Sequence, residues 1–90
     1  MKKDARYYFA NLGADVMRCI LASESQDNQR YESSLVRARK TLGAMRSTHR
    51  PEAYEEGLLL MRAMEYARVS GHTQKLKDNL NSLIAPYLKH

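Results

Sequence analysis

The sequence predicts an all-α protein, a small antiparallel four-helix bundle of 90 residues. Apolar residues recur at alternating intervals of four and three positions, which places them on one face of an α-helix. Residues that favour helices are plentiful, whereas the chain has only four glycines and two prolines. Helix-breaking stretches divide it into four parts. We therefore expect helices over about residues 4–22, 28–48, 51–70 and 73–85.

The first two helices carry the clearest one-sided apolar stripes. The stripe of the first helix consists of Ala5, Phe9, Leu12, Val16 and Cys19. The stripe of the second helix consists of Tyr31, Leu35, Ala38, Leu42 and Met45. A wholly polar run over residues 23–29 separates them, and Asp27 or Asn28 can cap the second helix. Two amphipathic helices joined by a short link favour an antiparallel pair.

The third helix is bounded by Pro51 and Gly71. Proline suits the first turn of a helix, and glycine suits the left-handed conformation that ends one. The acidic residues Glu52, Glu55 and Glu56 follow Pro51, where the positive end of the helix dipole favours them. Apolar residues cover most of the circumference of this helix. It is therefore either the centre of its own fold or buried by a second subunit.

The fourth helix is predicted from a shorter apolar stripe, with Thr73 as its cap. Its apolar positions are Leu76, Leu80, Leu83, Ile84, Tyr87 and Leu88. We expect Pro86 to end or kink the helix, because proline removes a backbone donor and crowds the preceding turn.

These elements make one domain over residues 1–90, and the alternative is a long helical hairpin that completes a bundle by dimerising. The chain cannot form an internal disulfide, because Cys19 is its only cysteine. A small chain without such a cross-link often gains burial by self-association. Polar residues follow Lys2 and Lys3, so we expect no signal peptide. With no apolar run near the length of a membrane span, we expect a cytoplasmic protein that does not bind membranes.

The net charge of +5 lies on the second helix and its end. Residues 28–50 carry six basic residues against Glu32 alone, while the segments before and after are each neutral. The basic residues are Arg30, Arg37, Arg39, Lys40, Arg46 and Arg50. At 100° per residue, most of them flank the apolar stripe, with Lys40 facing outward.

Two interpretations of these cations remain open. In the first, the second and third helices are antiparallel, so Arg46 and Arg50 pair with Glu52, Glu55 and Glu56 in a surface network. In the second, the cations form an anion-binding face for RNA, DNA or an acidic protein groove, since the planar guanidinium suits phosphate and carboxylate.

We expect no enzyme, cofactor or metal site from this sequence. The histidines His49, His72 and His90 fall in predicted loops or at the end of the chain, without the spacing that places two ligands on one helix face. Cys19 continues the apolar stripe of the first helix, so it is interpreted as a core residue and not as a nucleophile. No paired carboxylates, Ser/His/Asp grouping or glycine-rich phosphate loop is recognisable.

The function predicted from the sequence is that of a protein-interaction or self-associating module, with a protein partner or a second copy. The candidate interface residues are Tyr7, Tyr8, Leu59 and Tyr66, because exposed tyrosines are frequent at binding hot spots. The alternative is an RNA- or DNA-binding module that uses the basic second helix. A third possibility is a small-molecule pocket lined by Met17, Met45, Met61 and Met64.

Overall fold

The structure, a computed structural model, describes residues 4–88 and the side chains of residues 4–82. Its helices contact one another as a bundle, which confirms the predicted all-α class. The bundle forms within one chain, whereas the alternative was a long helical hairpin that needs a second copy to complete it. No helix within this described part is long and apolar enough to cross a membrane. The elements are α1 (Ala5–Glu24), α2 (Asn28–Met45), a 3-10 turn (Arg46–Thr48), α3 (Pro51–Ser70) and α4 (Thr73–Leu88).

The predicted helix-boundary residues act as expected at three positions. The Asp27 carboxylate caps α2 by accepting a hydrogen bond from the Arg30 backbone N–H at 3.1 Å. Pro51 is the first residue of α3. Gly71 ends α3 with a φ of 80°, and its N–H donates to the Ala67 carbonyl at 2.8 Å.

Three helix ends differ from the prediction. α1 continues to Glu24, because the polar residues that end its apolar stripe do not themselves break a helix. α2 ends at Met45, since the next residues tighten into the 3-10 turn and His49 adopts a left-handed φ of 60°. α4 extends to Leu88, past Pro86. Pro86 therefore lies in the last turn of α4 and does not end it, although it has no backbone N–H to donate.

The end of α1 is joined to the start of α4 through Glu24. The Thr73 hydroxyl donates to Glu24 Oε2 at 2.6 Å, and the Lys77 ammonium donates to Glu24 Oε1 at 3.0 Å. The hydrogen bond from Thr73, followed by that from Lys77, lowers the pKa of the Glu24 carboxyl. Thr73 was predicted to cap α4, but its hydroxyl bonds to α1 and so contributes to the packing of two helices.

The first three helices run in alternating directions. The Cys19 thiol faces the Tyr31 carbonyl at 4.0 Å, and Asp15 faces Thr41, so α1 and α2 are antiparallel. The guanidinium of Arg68 lies 3.9 Å from the centre of the Tyr31 ring, which brings the end of α3 to the start of α2. Tyr31 is buried, and this cation–π contact stabilises the packing of α3 against α2.

The centre of the bundle is α1, which packs against all three other helices. The predicted stripes of α1 and α2 are buried in full. The most enclosed large side chains are Phe9, Leu12, Val16, Cys19, Ile20, Met45, Leu60, Met64 and Leu80. From α4, Leu76 and Leu80 join this core, whereas the predicted contributions of Leu83, Ile84, Tyr87 and Leu88 lie outside the described side chains.

α3 packs against each of the three other helices, but its own chain covers only one of its sides. One side of α3 is buried, including Ala53, Leu60 and Met64, but large apolar side chains on its other side face solvent. An all-round apolar helix has no preferred buried face of its own, so the packing of its neighbours decides which side is covered.

α3 approaches the core closely at Gly57. A Cβ atom at this position would lie 2.7 Å from Leu42 Cδ1 and 3.0 Å from Leu12 Cδ2. Both leucines are buried and would have to move. By contrast, nothing lies within 4 Å of a Cβ atom added at Gly43 on the exposed side of α2.

These two glycines give a matched pair of substitutions. We expect Gly43→Ala to stabilise the protein by about 0.5–1 kcal/mol, because alanine loses less backbone entropy in a helix. We expect Gly57→Ala to destabilise it by about 1 kcal/mol, since the cost of overpacking exceeds the same gain. Urea unfolding followed by circular dichroism measures both. Equal stabilisation by the two substitutions would contradict the close approach.

Candidate interaction surfaces

An exposed apolar surface runs along the outer side of α3. Leu59, Tyr66 and Val69 retain 59%, 68% and 88% of their accessible surface. Together with the exposed Arg62 they recur at spacings of three, four and three residues. This spacing places all four on one face of the helix, as in the seam of a coiled coil. We call these four residues the α3 outer stripe.

The other candidate interface residues, Tyr7 and Tyr8, lie at the start of α1. Their rings meet edge to face with centroids 5.3 Å apart. Tyr7 retains 44% of its accessible surface, whereas Tyr8 is half-buried and packs against the core. The four candidate interface residues therefore belong to two helices, and the most exposed of them lie on α3.

The six basic residues singled out from the sequence are all exposed. The predicted network is present in part: Arg50 pairs with Glu52, whereas Arg46 stacks on the Tyr54 ring, 5.6 Å from its centre. Among the side chains of residues 4–82, the other cations form no ion pair with a carboxylate: Arg30, Arg37, Arg39, Lys40 and Arg46.

Two of these cations line a groove between α1 and α2. Arg37 and Lys40 form its α2 wall, and Arg18 and Asn11 belong to its α1 wall. The groove has a volume of about 250 Å³ and is open to solvent. We call it the α1/α2 groove. Its remaining lining residues are Ala14, Asp15 and Thr41.

A buried carboxylate, Asp15, lies at the base of this groove. Asp15 Oδ1 accepts a hydrogen bond from Arg18 at 2.8 Å, and Oδ2 accepts one from the Thr41 hydroxyl at 3.4 Å. Only 6% of Asp15 is accessible. Its charge is thus matched by Arg18 one helical turn away, while Arg37 and Lys40 remain without a carboxylate partner among the described side chains.

Arg18 is the groove residue that the sequence analysis missed. The first 27 residues sum to zero charge, so nothing there suggested a basic surface. The antiparallel packing of α1 on α2 could have identified it. In such a pair, the numbers of two facing residues add up to a nearly constant value, here about 55, which places Arg18 opposite Arg37.

Arg39 belongs to a different environment, between α2 and α3. Here it shares a shallow groove with Glu32, Glu65 and Arg68, so acidic and basic groups are equal in number. The end of α2 forms a third site, where Arg46, His49 and Arg50 surround Tyr54. The sequence-predicted basic face is therefore divided among three surfaces, and Arg30 lies exposed at the start of α2.

Cys19 is a core residue, as predicted. It is completely buried, and burial, with a further contribution from Asp15, raises the pKa of its thiol to about 11. The methionines considered as a pocket lining also belong to the core. Met45, Met61 and Met64 are buried, and Met17 is partly buried and packs against the core. Among the described residues, no group of three or more histidine, cysteine or acidic side chains could hold a metal ion.

Comparisons with protein-family models, with curated proteins and with solved structures find no match to this chain. The proposals for its function therefore depend on the surfaces described above.

The environment of Cys19 gives an expected chemical behaviour. With a pKa of about 11, only about one thiol in a thousand is ionised near pH 8, and the thiolate is the reactive form. We expect an aromatic disulfide reagent to modify the native protein at least about 100-fold more slowly than the urea-unfolded chain. The absorbance of the released thiolate measures both rates. Native modification as fast as that of the unfolded chain would contradict the burial of Cys19.

Proposed function

We propose that this protein works by protein–protein interaction, and that its α3 outer stripe binds a second copy of the chain. The observation that carries the proposal is the exposure of Leu59, Tyr66 and Val69 on one face of a single helix. Scattered apolar residues on a surface are ordinary, but a contiguous row of them marks an interaction site.

The spacing of the stripe favours a second copy as the partner. The intervals of three, four and three residues read the same in both directions. In an antiparallel pair of α3 helices, Leu59 then lies opposite the partner's Val69, and Arg62 lies opposite the partner's Tyr66. A two-fold interface must be self-complementary in this way. The apolar pairs exclude water, and each arginine can stack on a tyrosine ring.

The size of the stripe sets the expected strength of this association. It extends over about three helical turns, so the surface that it can bury is smaller than the interface of a permanent dimer. We therefore expect a weak, reversible dimer. Each copy carries a net charge of +5, so added salt should screen the repulsion and strengthen the association.

Analytical ultracentrifugation over a wide concentration range tests the proposal. We expect a monomer–dimer equilibrium that Tyr66→Ser/Val69→Ser abolishes, because both copies carry the substitutions and apolar contacts are lost at both ends of the two-fold interface. The matched control is Leu21→Ser/Val36→Ser, which changes two exposed apolar residues on α1 and α2 and should associate as the unsubstituted chain does. A monomer at about 1 mM, where a contact of about 4 kcal/mol would be half-populated, would contradict the proposal.

Disulfide trapping tests the register. In the antiparallel pair, Leu59→Cys/Val69→Cys should form cross-linked dimers on mild oxidation, because position 59 of one copy faces position 69 of the other. Either single variant should not, since the two equivalent positions are then about 15 Å apart, beyond the reach of a disulfide. Efficient cross-linking of both single variants would indicate a parallel pair and overturn this register.

A further inference from the structure

The α1/α2 groove is a second binding surface, separate from the α3 outer stripe. We propose that it binds the phosphate backbone of double-stranded nucleic acid. The proposal is independent of the association through α3, because the groove is lined by residues of α1 and α2. It differs from the basic face expected from sequence, because it includes Arg18 and leaves out Arg39, Arg46 and Arg50.

The first argument is the local excess of positive charge. Arg18, Arg37 and Lys40 line the groove against one carboxylate, Asp15, which is buried and already bonded to Arg18. Neither Arg37 nor Lys40 has an acidic partner among the side chains of residues 4–82. A bound anion would therefore not have to displace an existing ion pair of these two residues.

The second argument is where the neighbouring acidic residues point. Glu24 bonds to Thr73 and Lys77 of α4, and Asp27 caps the start of α2. Glu32 lies in the other groove, between α2 and α3. These interactions hold Glu24, Asp27 and Glu32 outside the α1/α2 groove. The one carboxylate in its lining, Asp15, is bonded to Arg18, so Arg37 and Lys40 give the groove a positive field.

The third argument concerns the class of anion. Arg30 lies seven residues before Arg37, on the same side of α2, and extends the basic row by about 10 Å. That length spans about three base-pair steps of a duplex, which carries one phosphate of each strand per about 3.4 Å of its axis, and it exceeds a single phosphate group. Guanidinium groups bind phosphate oxygens through paired N–H donors, and the Asn11 amide adds a neutral donor at the groove.

The lining also favours a duplex over a single strand. Aromatic side chains are absent from the residues that line this groove, so it offers no platform on which unpaired bases could stack. A contact made through phosphates alone recognises the backbone and is indifferent to sequence.

The test uses fluorescence anisotropy with labelled 20-base-pair DNA duplexes of two unrelated sequences, at several salt concentrations. We expect saturable binding of similar affinity for both sequences. Affinity should fall steeply with salt, because each phosphate contact releases counterions. A labelled single strand of the same length should bind more weakly. No saturable binding to the duplex at low salt would overturn the proposal, and so would stronger binding to the single strand.

Two variants with the same loss of charge locate the site. Arg37→Gln/Lys40→Gln removes the two groove cations that have no carboxylate partner among residues 4–82, whereas Arg39→Gln/Lys75→Gln removes one arginine and one lysine elsewhere on the surface. We expect the first to weaken binding about tenfold or more and to reduce the salt slope by about 1.8. The second should stay close to the unsubstituted protein, and circular dichroism checks that both remain helical. Equal weakening by the two variants would show attraction by net charge alone and overturn the groove as the site.

Discussion

The packing of α1 against the three other helices is the constraint on which the rest of the structure depends. Its apolar side chains, among them Phe9, Leu12 and Val16, are fully enclosed, and α2, α3 and α4 each cover part of them. In a chain of 90 residues without a disulfide, this shared core supplies most of the burial that stabilises the fold. Gly57 lets α3 approach closely enough to complete it, since Leu12 and Leu42 occupy the space that a larger residue would need.

Both candidate surfaces follow from this arrangement. Because α1 occupies the centre, α3 packs on it with one side only, and its other side keeps Leu59, Tyr66 and Val69 in solvent. Because α1 and α2 are antiparallel, Arg18 and Arg37 meet across a groove although they are distant in sequence. The two surfaces differ in chemistry and use different helices, so salt should affect them in opposite directions: association through α3 strengthens, and binding of phosphate weakens.

Local patterns were sufficient to predict the fold. The stripes of α1 and α2, the cap at Asp27 and the helix boundaries at Pro51 and Gly71 are set by interactions within a few residues, and all appear in the structure. Tertiary contacts decided the remaining features. Periodicity does not identify which helices pack against each other. It therefore could not predict which side of α3 is covered or which grooves the basic residues of α2 line. Thr73 likewise bonds to Glu24 of α1, a partner 49 residues away in sequence.

Native-state hydrogen exchange, measured residue by residue by NMR, tests most directly whether α1 is the centre of the fold. Amides between Phe9 and Ile20 should exchange only when the whole molecule unfolds, so their opening free energy should equal that from urea unfolding. Amides in the last two turns of α3, near Tyr66 and Val69, should open at lower free energy because that helix is covered on one side. The central role of α1 would be contradicted if its amides exchanged through local opening while the amides of α3 exchanged only when the whole molecule unfolds.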